Sequence, residues 1–257
     1  MNSPPRSGLN LPAVDVVYAV FEELTLAARA HSGHGAGGLL VLYALADEAG
    51  AAVALGTSIA GGAVLGIDPD AERLKLAVRN AVCDFAVNHL NEALRILKNE
   101  VRKKTPVSVG LVGLVEMWVT EMAARGVQPD FLASTVEPRA LFVARGARLL
   151  ALADVRDQDE LEHVWWSVGE APVRWLPVVD SLAANSLKNA DAGDMRLRWL
   201  RTLPRYMARA SEHYLRMMPS EASVFVRAIE AARASGAVAV PLKLRRTSAA
   251  GSSEVQL

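Results

Sequence analysis

Read for apolar and polar positions alone, the chain alternates short apolar runs with longer amphipathic stretches up to Leu132. Asp15 to Ala30 sets Val16, Val17, Val20, Phe21, Leu24 and Ala28 at helical spacing, with Glu22, Glu23 and Arg29 on the other face. Glycines between Gly33 and Gly38 break that helix. Leu39 to Tyr43 reads as a buried strand, Ala44 to Thr57 as an Ala-rich helical stretch and Ala63 to Ile67 as a second strand. Ala71 to Val78 is helical and Val82 to Val87 is a short apolar strand. Asn88 to Lys104 opposes Leu90, Ala93, Leu94 and Leu97 to Arg95, Lys98, Glu100, Arg102 and Lys103, an amphipathic helix whose basic end complements its dipole. Pro106 to Gly113 is a strand entered by Pro and left by Gly, followed by a helix from Val115 to Arg125 and a step into a strand ending at Leu132. Strands alternating with helices predict an α/β fold with a parallel sheet covered on both faces.

Beyond that point the pattern thins. Arg139 to Ala153 reads as helical, and an acidic stretch runs from Asp154 to Glu162. His163 to Trp175 gathers Trp165, Trp166 and Trp175, which packing of a loop onto a core accounts for better than stacking on a ligand. Met195 to Ala208, with Arg196, Arg198, Arg201, Arg205 and the adjacent Arg209, reads as a helix with an exposed basic stripe. Ser220 to Ser235 is a helix and Ala237 to Leu242 a final strand. The expected organisation is a disordered leader over 1–12, a single domain over 13–245 and a disordered tail over 246–257. Within the domain, 13–135 is the βαβ core and 136–245 a more helical remainder that packs back on it.

Acidic and basic residues balance at 28 each, so no global field draws the chain to nucleic acid or a membrane surface. Cys83 is the single cysteine, which excludes an internal disulfide and fits a reducing, cytoplasmic setting; in its apolar strand it is expected to be buried and inert. The start, Met1 to Arg6, carries no apolar signal core, and no apolar run is long enough to span a membrane. His31 and His34 stand three apart without a third ligand nearby, so no metal site is expected.

Chemistry concentrates between Gly38 and Arg73. Strand, turn, helix, strand and then Asp68 is the order of a nucleotide-binding βαβ unit, with the turn over the phosphates and the acid on the ribose hydroxyls. The turn departs from that pattern: Leu45-Ala46-Asp47-Glu48-Ala49-Gly50 stands where glycines let backbone approach the phosphates. Two carboxylates there repel phosphate by on the order of a kcal/mol each when partly buried. As plain helix-opening residues, Asp47 and Glu48 would instead cap the helix.

Several stretches together resemble the urocanase family, the NAD-dependent urocanate hydratases. Asn91 to Lys104 followed by Pro106 to Gly113 and Arg125 to Asp130 is similar to the family's "DEAL" helix, "PLSVGLVGN" strand and "RRGVRPD" connector. Trp166 to Trp175 resembles "FCRGIGPFRW", and Leu197 to Leu200 resembles "LHRWLD". The resemblance implies a Rossmann-like domain, with the family's "GLGGMGG" loop falling on Leu45 to Ala51, so that Gly50 alone is kept. Asp68 takes the place of the family's glutamate and Arg73 matches its arginine; these with Gly50 are the implied cofactor-binding residues. Leu114-Val115 replaces an Asn-Ala pair, and the "DQTSAHDP" loop shortens to Ala133 to Pro138. The active-site cysteine falls on Ser167.

The family's N-terminal substrate region and C-terminal glycine-rich part have no counterpart in the sequence, which makes the chain a truncated, diverged homologue by this comparison. The resemblance thus implies NAD, with its binding weakened or absent, no metal, and hydratase activity lost or impaired. A binding or assembly role would remain, as a homodimer or with a full-length urocanase. The alternative is a repurposed small-molecule enzyme or nucleotide-binding protein, with Asp47, Glu48, Asp68, Ser167 and His163 in the crevice at the carboxyl ends of the strands. Ser167 shows no His-Asp pair beside it in sequence, so its ordinary role is a surface or hydrogen-bonding serine.

Overall fold

The computed structural model describes residues 11–133, 136–137, 139–150, 161–187, 194–208, 210–248 and 251–256. It divides into two compact units, Met1–Ala153 and Asp154–Leu257.

The first unit runs α1 (Val14–Ser32), β1 (Leu40–Ala44), α2 (Glu48–Ala60), β2 (Ala63–Asp68), α3 (Ala71–Arg79), β3 (Phe85–Val87), α4 (Leu90–Lys103), β4 (Val107–Val112), α5 (Val115–Ala124), β5 (Phe131–Leu132), α6 (Ala140–Val143) and β6 (Arg148–Leu149). Every pairing in its sheet is parallel, in the order β3-β4-β2-β1-β5-β6. This is the Rossmann-like α/β fold expected from the alternation of strands and helices. Strands buried on both faces read as continuous apolar runs, which is why β1, β2 and β4 carry almost no polar residue.

Alternation along each strand sends Leu40, Leu42, Leu65, Ile67, Val109 and Leu111 to one face, where Leu90, Ala93 and Leu97 of α4 and Val119 and Met122 of α5 complete the core. Helices α2 and α3 lie on the other face. Helix α2 is buried from Gly50 to Ala60 because α1 covers its far side, where a Cβ on Gly56 would come 2.8 Å from the Val20 side chain. A helix sandwiched in this way has no polar stripe to show, and α2 has none. Glu22, assigned by spacing to the outer face of α1, is buried and receives a weak 3.5 Å contact from the Tyr18 hydroxyl, while Val16 is exposed.

The second unit comprises β7 (Glu162–Val168), α7 (Pro172–Ser186), α8 (Met195–Tyr206), β8 (Glu212–Met217), α9 (Pro219–Ala234), β9 (Leu242–Ser248) and β10 (Gly251–Gln256). Its four strands form an antiparallel sheet in the order β10-β9-β7-β8. The part of the chain expected to be mainly helical is therefore equally a sheet. The stretch Arg139 to Ala153 holds the four-residue α6 and then β6, which pairs with β5 and belongs to the first sheet. The parallel sheet accordingly continues past residue 135, to β6. Trp165 and Trp166 lie in a strand, not a loop. The strand expected over Ala237 to Leu242 is β9, which starts only at Leu242, and a further strand, β10, lies in the tail expected to be disordered. Most of the leader and the acidic stretch lie outside the described residues. Among the described residues no helix is long and apolar enough to cross a membrane.

Candidate functional site

The chain leaves β1 for β2 on one side and later returns to β5 on the other, so the order of strands reverses about β1. In open α/β sheets ligands enter the crevice outside the carboxyl ends at such a reversal. Here that edge is formed by the turn Leu45–Asp47, by Asp68 at the end of β2, and by Gly113 and Leu114 after β4.

Leu45 adopts φ +66°, the left-handed conformation that glycine takes without cost and an L residue takes at about 1 kcal/mol. The turn thus keeps a glycine backbone with a leucine side chain. Its amide bonds to the Ile67 carbonyl at 2.8 Å, fixing the turn to β2. Asp47 is the N-cap of α2 and accepts the Gly50 amide at 2.9 Å. The helix-capping role expected of an acid at this position is the one observed. Glu48 comes next in the first turn, exposed.

Asp68 is fully buried. Oδ2 accepts the Ala46 amide at 2.6 Å and Oδ1 accepts the Asp70 amide at 2.7 Å. Arg73 Nε stands 3.0 Å from Oδ2, but its N–H is not aimed at the oxygen, so the contact is an ion pair without a hydrogen bond. Both Asp68 oxygens are therefore engaged inside the protein, with the turn's own backbone as one donor.

Gly50 has a packing reason to remain glycine. A Cβ there would overlap the Leu45 carbonyl and come 2.8 Å from the Tyr43 ring. The Tyr43 ring also lies over Gly66 of β2, filling the space a side chain would need, and its hydroxyl reaches Cys83 Sγ at 3.7 Å. Tyr43 and Cys83 are buried, and burial pushes both the phenol and the thiol above their ordinary pKa values. Cys83 is thus a buried core thiol, as expected, but it precedes β3 and does not lie in a strand.

Ser167 lies on β7, half-buried, paired with Glu212 on β8 and Lys243 on β9. It belongs to the second unit and Asp68 to the first. His163 shares the Ser167 face by alternation, and its Nδ1 meets the Tyr214 hydroxyl at 2.6 Å. The Asp-His pair that sequence reasoning missed is elsewhere: His213 Nδ1 stands 2.8 and 3.0 Å from the two oxygens of Asp180, and Trp166 Nε1 donates to the same carboxylate at 3.0 Å. All three are buried, and burial raises the Asp180 pKa against the lowering pull of His213 and Trp166. Thirty-three residues separate the pair, with no spacing rule to join them. Of the basic stripe expected on α8, Arg196 is turned inward, bonding Glu221 at 2.7 Å and Asp194 at 3.0 Å. Arg209 lies outside the described residues.

A groove of about 720 Å³ lies beside Phe85, Arg95, Asn99 and Val107. Phe85 and Val107 are the first residues of β3 and β4, so it opens at the amino edge, away from the carboxyl-end chemistry. His31 stands 4.0 Å from Asp130, and no cluster of three or more metal-ligating side chains occurs among the described residues. Of the shortened loop Ala133–Pro138, residues 134, 135 and 138 lie outside those described.

The Urocanase Rossmann-like domain model matches residues 15–159, more than half of the chain. The chain belongs to the urocanase family. The match spans all six strands of the parallel sheet, whereas the urocanase-like stretches Trp166–Trp175 and Leu197–Leu200 lie beyond it. Membership brings the expectation of NAD at the carboxyl edge, where Gly50, Asp68 and Arg73 stand.

Proposed function

We propose that this urocanase-family chain has lost, or strongly weakened, dinucleotide binding and hydratase activity, and that it serves in binding or assembly. The observation that carries the reading is the double use of carboxylates at the turn. Asp47 takes the Gly50 amide and Asp68 takes the Ala46 amide, so donors that would face a diphosphate already hold internal anions. Leu45 adds a branched side chain where backbone would meet the phosphates. These residues do not fit a dinucleotide phosphate.

Asp68 buried with both oxygens engaged is also a poor acid-base group for an incoming substrate. That disfavours a repurposed enzyme drawing on Asp47, Glu48, Asp68 and Ser167. Assembly as a homodimer or with a full-length urocanase, in a reducing cytoplasm that suits the free Cys83, completes the reading.

Titration calorimetry with NAD⁺ and the decay of urocanate absorbance test it together. The expected result is no saturable heat and no turnover above background. Turnover near that of an ordinary hydratase overturns the proposal. Sedimentation, alone and mixed with a full-length urocanase, tests the assembly role.

A further inference from the structure

Where the carboxyl edge no longer takes a dinucleotide, it exposes apolar side chains that capping and packing do not explain. Leu45 is 37% exposed, Leu114 65% and Met117 48%. Leu45 and Gly113 bond to the carbonyls of Ile67 and Asp68, which places Leu45 and Leu114 on either side of the end of β2. Met117 comes three positions after Leu114 across the first turn of α5, so the two share a helix face. The two leucines stand where the family resemblance has glycine and asparagine, and Leu45 is held in a conformation unfavourable to it.

The rim around them is acidic. The turns 45–50, 68–75 and 113–118 present five carboxylates at the surface, Asp47, Glu48, Asp70, Glu72 and Glu116, against Arg73 and Lys75, with Asp68 buried beneath them. Arg73 is turned to Asp68, and Lys75 lies 2.8 Å from Glu72. Capping accounts for Asp47 and Asp70, whose side chains accept helix amides, but not for the leucines.

We infer that this edge is a docking surface for a basic amphipathic segment of another protein, apolar residues seated on Leu45, Leu114 and Met117 and Lys or Arg side chains on the acidic rim. The inference rests on the proposed loss of dinucleotide binding at the same edge. The charge pattern selects the occupant. A two-fold contact with a second copy would set the acidic rim against itself, and an anionic membrane or nucleic acid would be repelled.

The test is fluorescence anisotropy of the full chain with a labelled Leu/Lys peptide patterned as an amphipathic helix, beside Leu/Glu and Ser/Lys counterparts. The Leu/Lys peptide should bind saturably and both counterparts at least about tenfold more weakly, one hot contact's worth. Leu114→Ser with Met117→Ser should weaken binding about tenfold or more, as should Leu114→Asn in part, while Leu26→Ser, at an exposed site on α1, leaves it unchanged. Glu48→Gln with Glu116→Gln should weaken it and flatten its salt dependence. The proposal is overturned if the Leu114/Met117 variant binds as the parent does, or if the Ser/Lys peptide matches the Leu/Lys one. It is equally overturned if the parent self-associates on sedimentation and that variant is monomeric, since the occupant is then a second copy. NAD⁺ titration of the same sample separates the two readings: saturation by NAD⁺ defeats the loss of cofactor binding, whereas silence toward both NAD⁺ and peptide defeats the docking surface alone.

Discussion

The carboxylate of Asp68 lies 2.6 Å from the backbone nitrogen of Ala46, joining the end of β2 to the turn that leaves β1. A side chain expected to hold ribose hydroxyls instead holds the protein's own turn. Asp68→Asn replaces one acceptor by a donor facing the Ala46 or Asp70 amide and removes the charge opposite Arg73. The expected loss is about 2–3 kcal/mol, seen as a lower urea midpoint, because a buried amide and a half-buried guanidinium lose their partner together. An unchanged midpoint would show the turn to be held by the strands alone.

Leu45 supplies a second measurement. Its left-handed backbone predicts the order Leu45→Gly, parent, Leu45→Val from most to least stable. Glycine relieves about 1 kcal/mol of strain but returns part of it as chain entropy, so the gain stays below about 1 kcal/mol. A β-branched residue tolerates positive φ less well than leucine, and its loss should exceed that gain. Urea unfolding of the three proteins checks the order, and a more stable valine variant would refute it.

Tyr43 and Gly66 predict a coupled pair. Gly66→Ala drives a methyl into the phenol ring and should cost about 1–3 kcal/mol or more. Tyr43→Leu vacates the space at its own cost. If the ring is the obstacle, the double variant is markedly less destabilised than the sum of the single ones. Additivity within error would place the strain elsewhere.

Asp180 predicts a pH dependence in the second unit. Burial raises its folded pKa above the unfolded value, so the protonated form is the one favoured by folding. The stability it contributes is present below the unfolded pKa, about 4, and is lost as pH rises through the folded pKa. Asp180→Asn keeps an acceptor for the Trp166 Nε1 donor and removes this titration, so its unfolding midpoint should fall less steeply over that window than the parent's. Asp180→Ala takes the shared partner from the buried Trp166 Nε1 donor and His213 Nδ1 and should cost about 2–5 kcal/mol at neutral pH.

The inner strands of the parallel sheet are legible because they are apolar runs bounded by glycine or proline, as Pro106 and Gly113 bound β4, whereas the edge strand β6, Arg148–Leu149, is charged and exposed and carries no such signal. The antiparallel sheet is not legible in that way. In β8 the charged or polar residues Glu212, His213 and Arg216 interrupt the apolar run, and His213 is buried by virtue of Asp180, 33 positions away. Strand β10, Gly-Ser-Ser-Glu-Val-Gln, has no apolar alternation and is exposed along its length, so its pairing to β9 alone defines it. At the candidate site, the positions of Asp47, Asp68 and Arg73 could be read from the order of elements. That Asp68 would turn toward the Ala46 amide depends on the path of the backbone through Leu45, which spacing does not encode.

The burial of Cys83 gives the first unit a built-in clock. Covered in the native state and the chain's single thiol, it reacts with an external disulfide reagent only when the structure around Tyr43 opens. The labelling rate of the unaltered protein, set against that of the unfolded chain, therefore reads the free energy of that opening without any introduced probe.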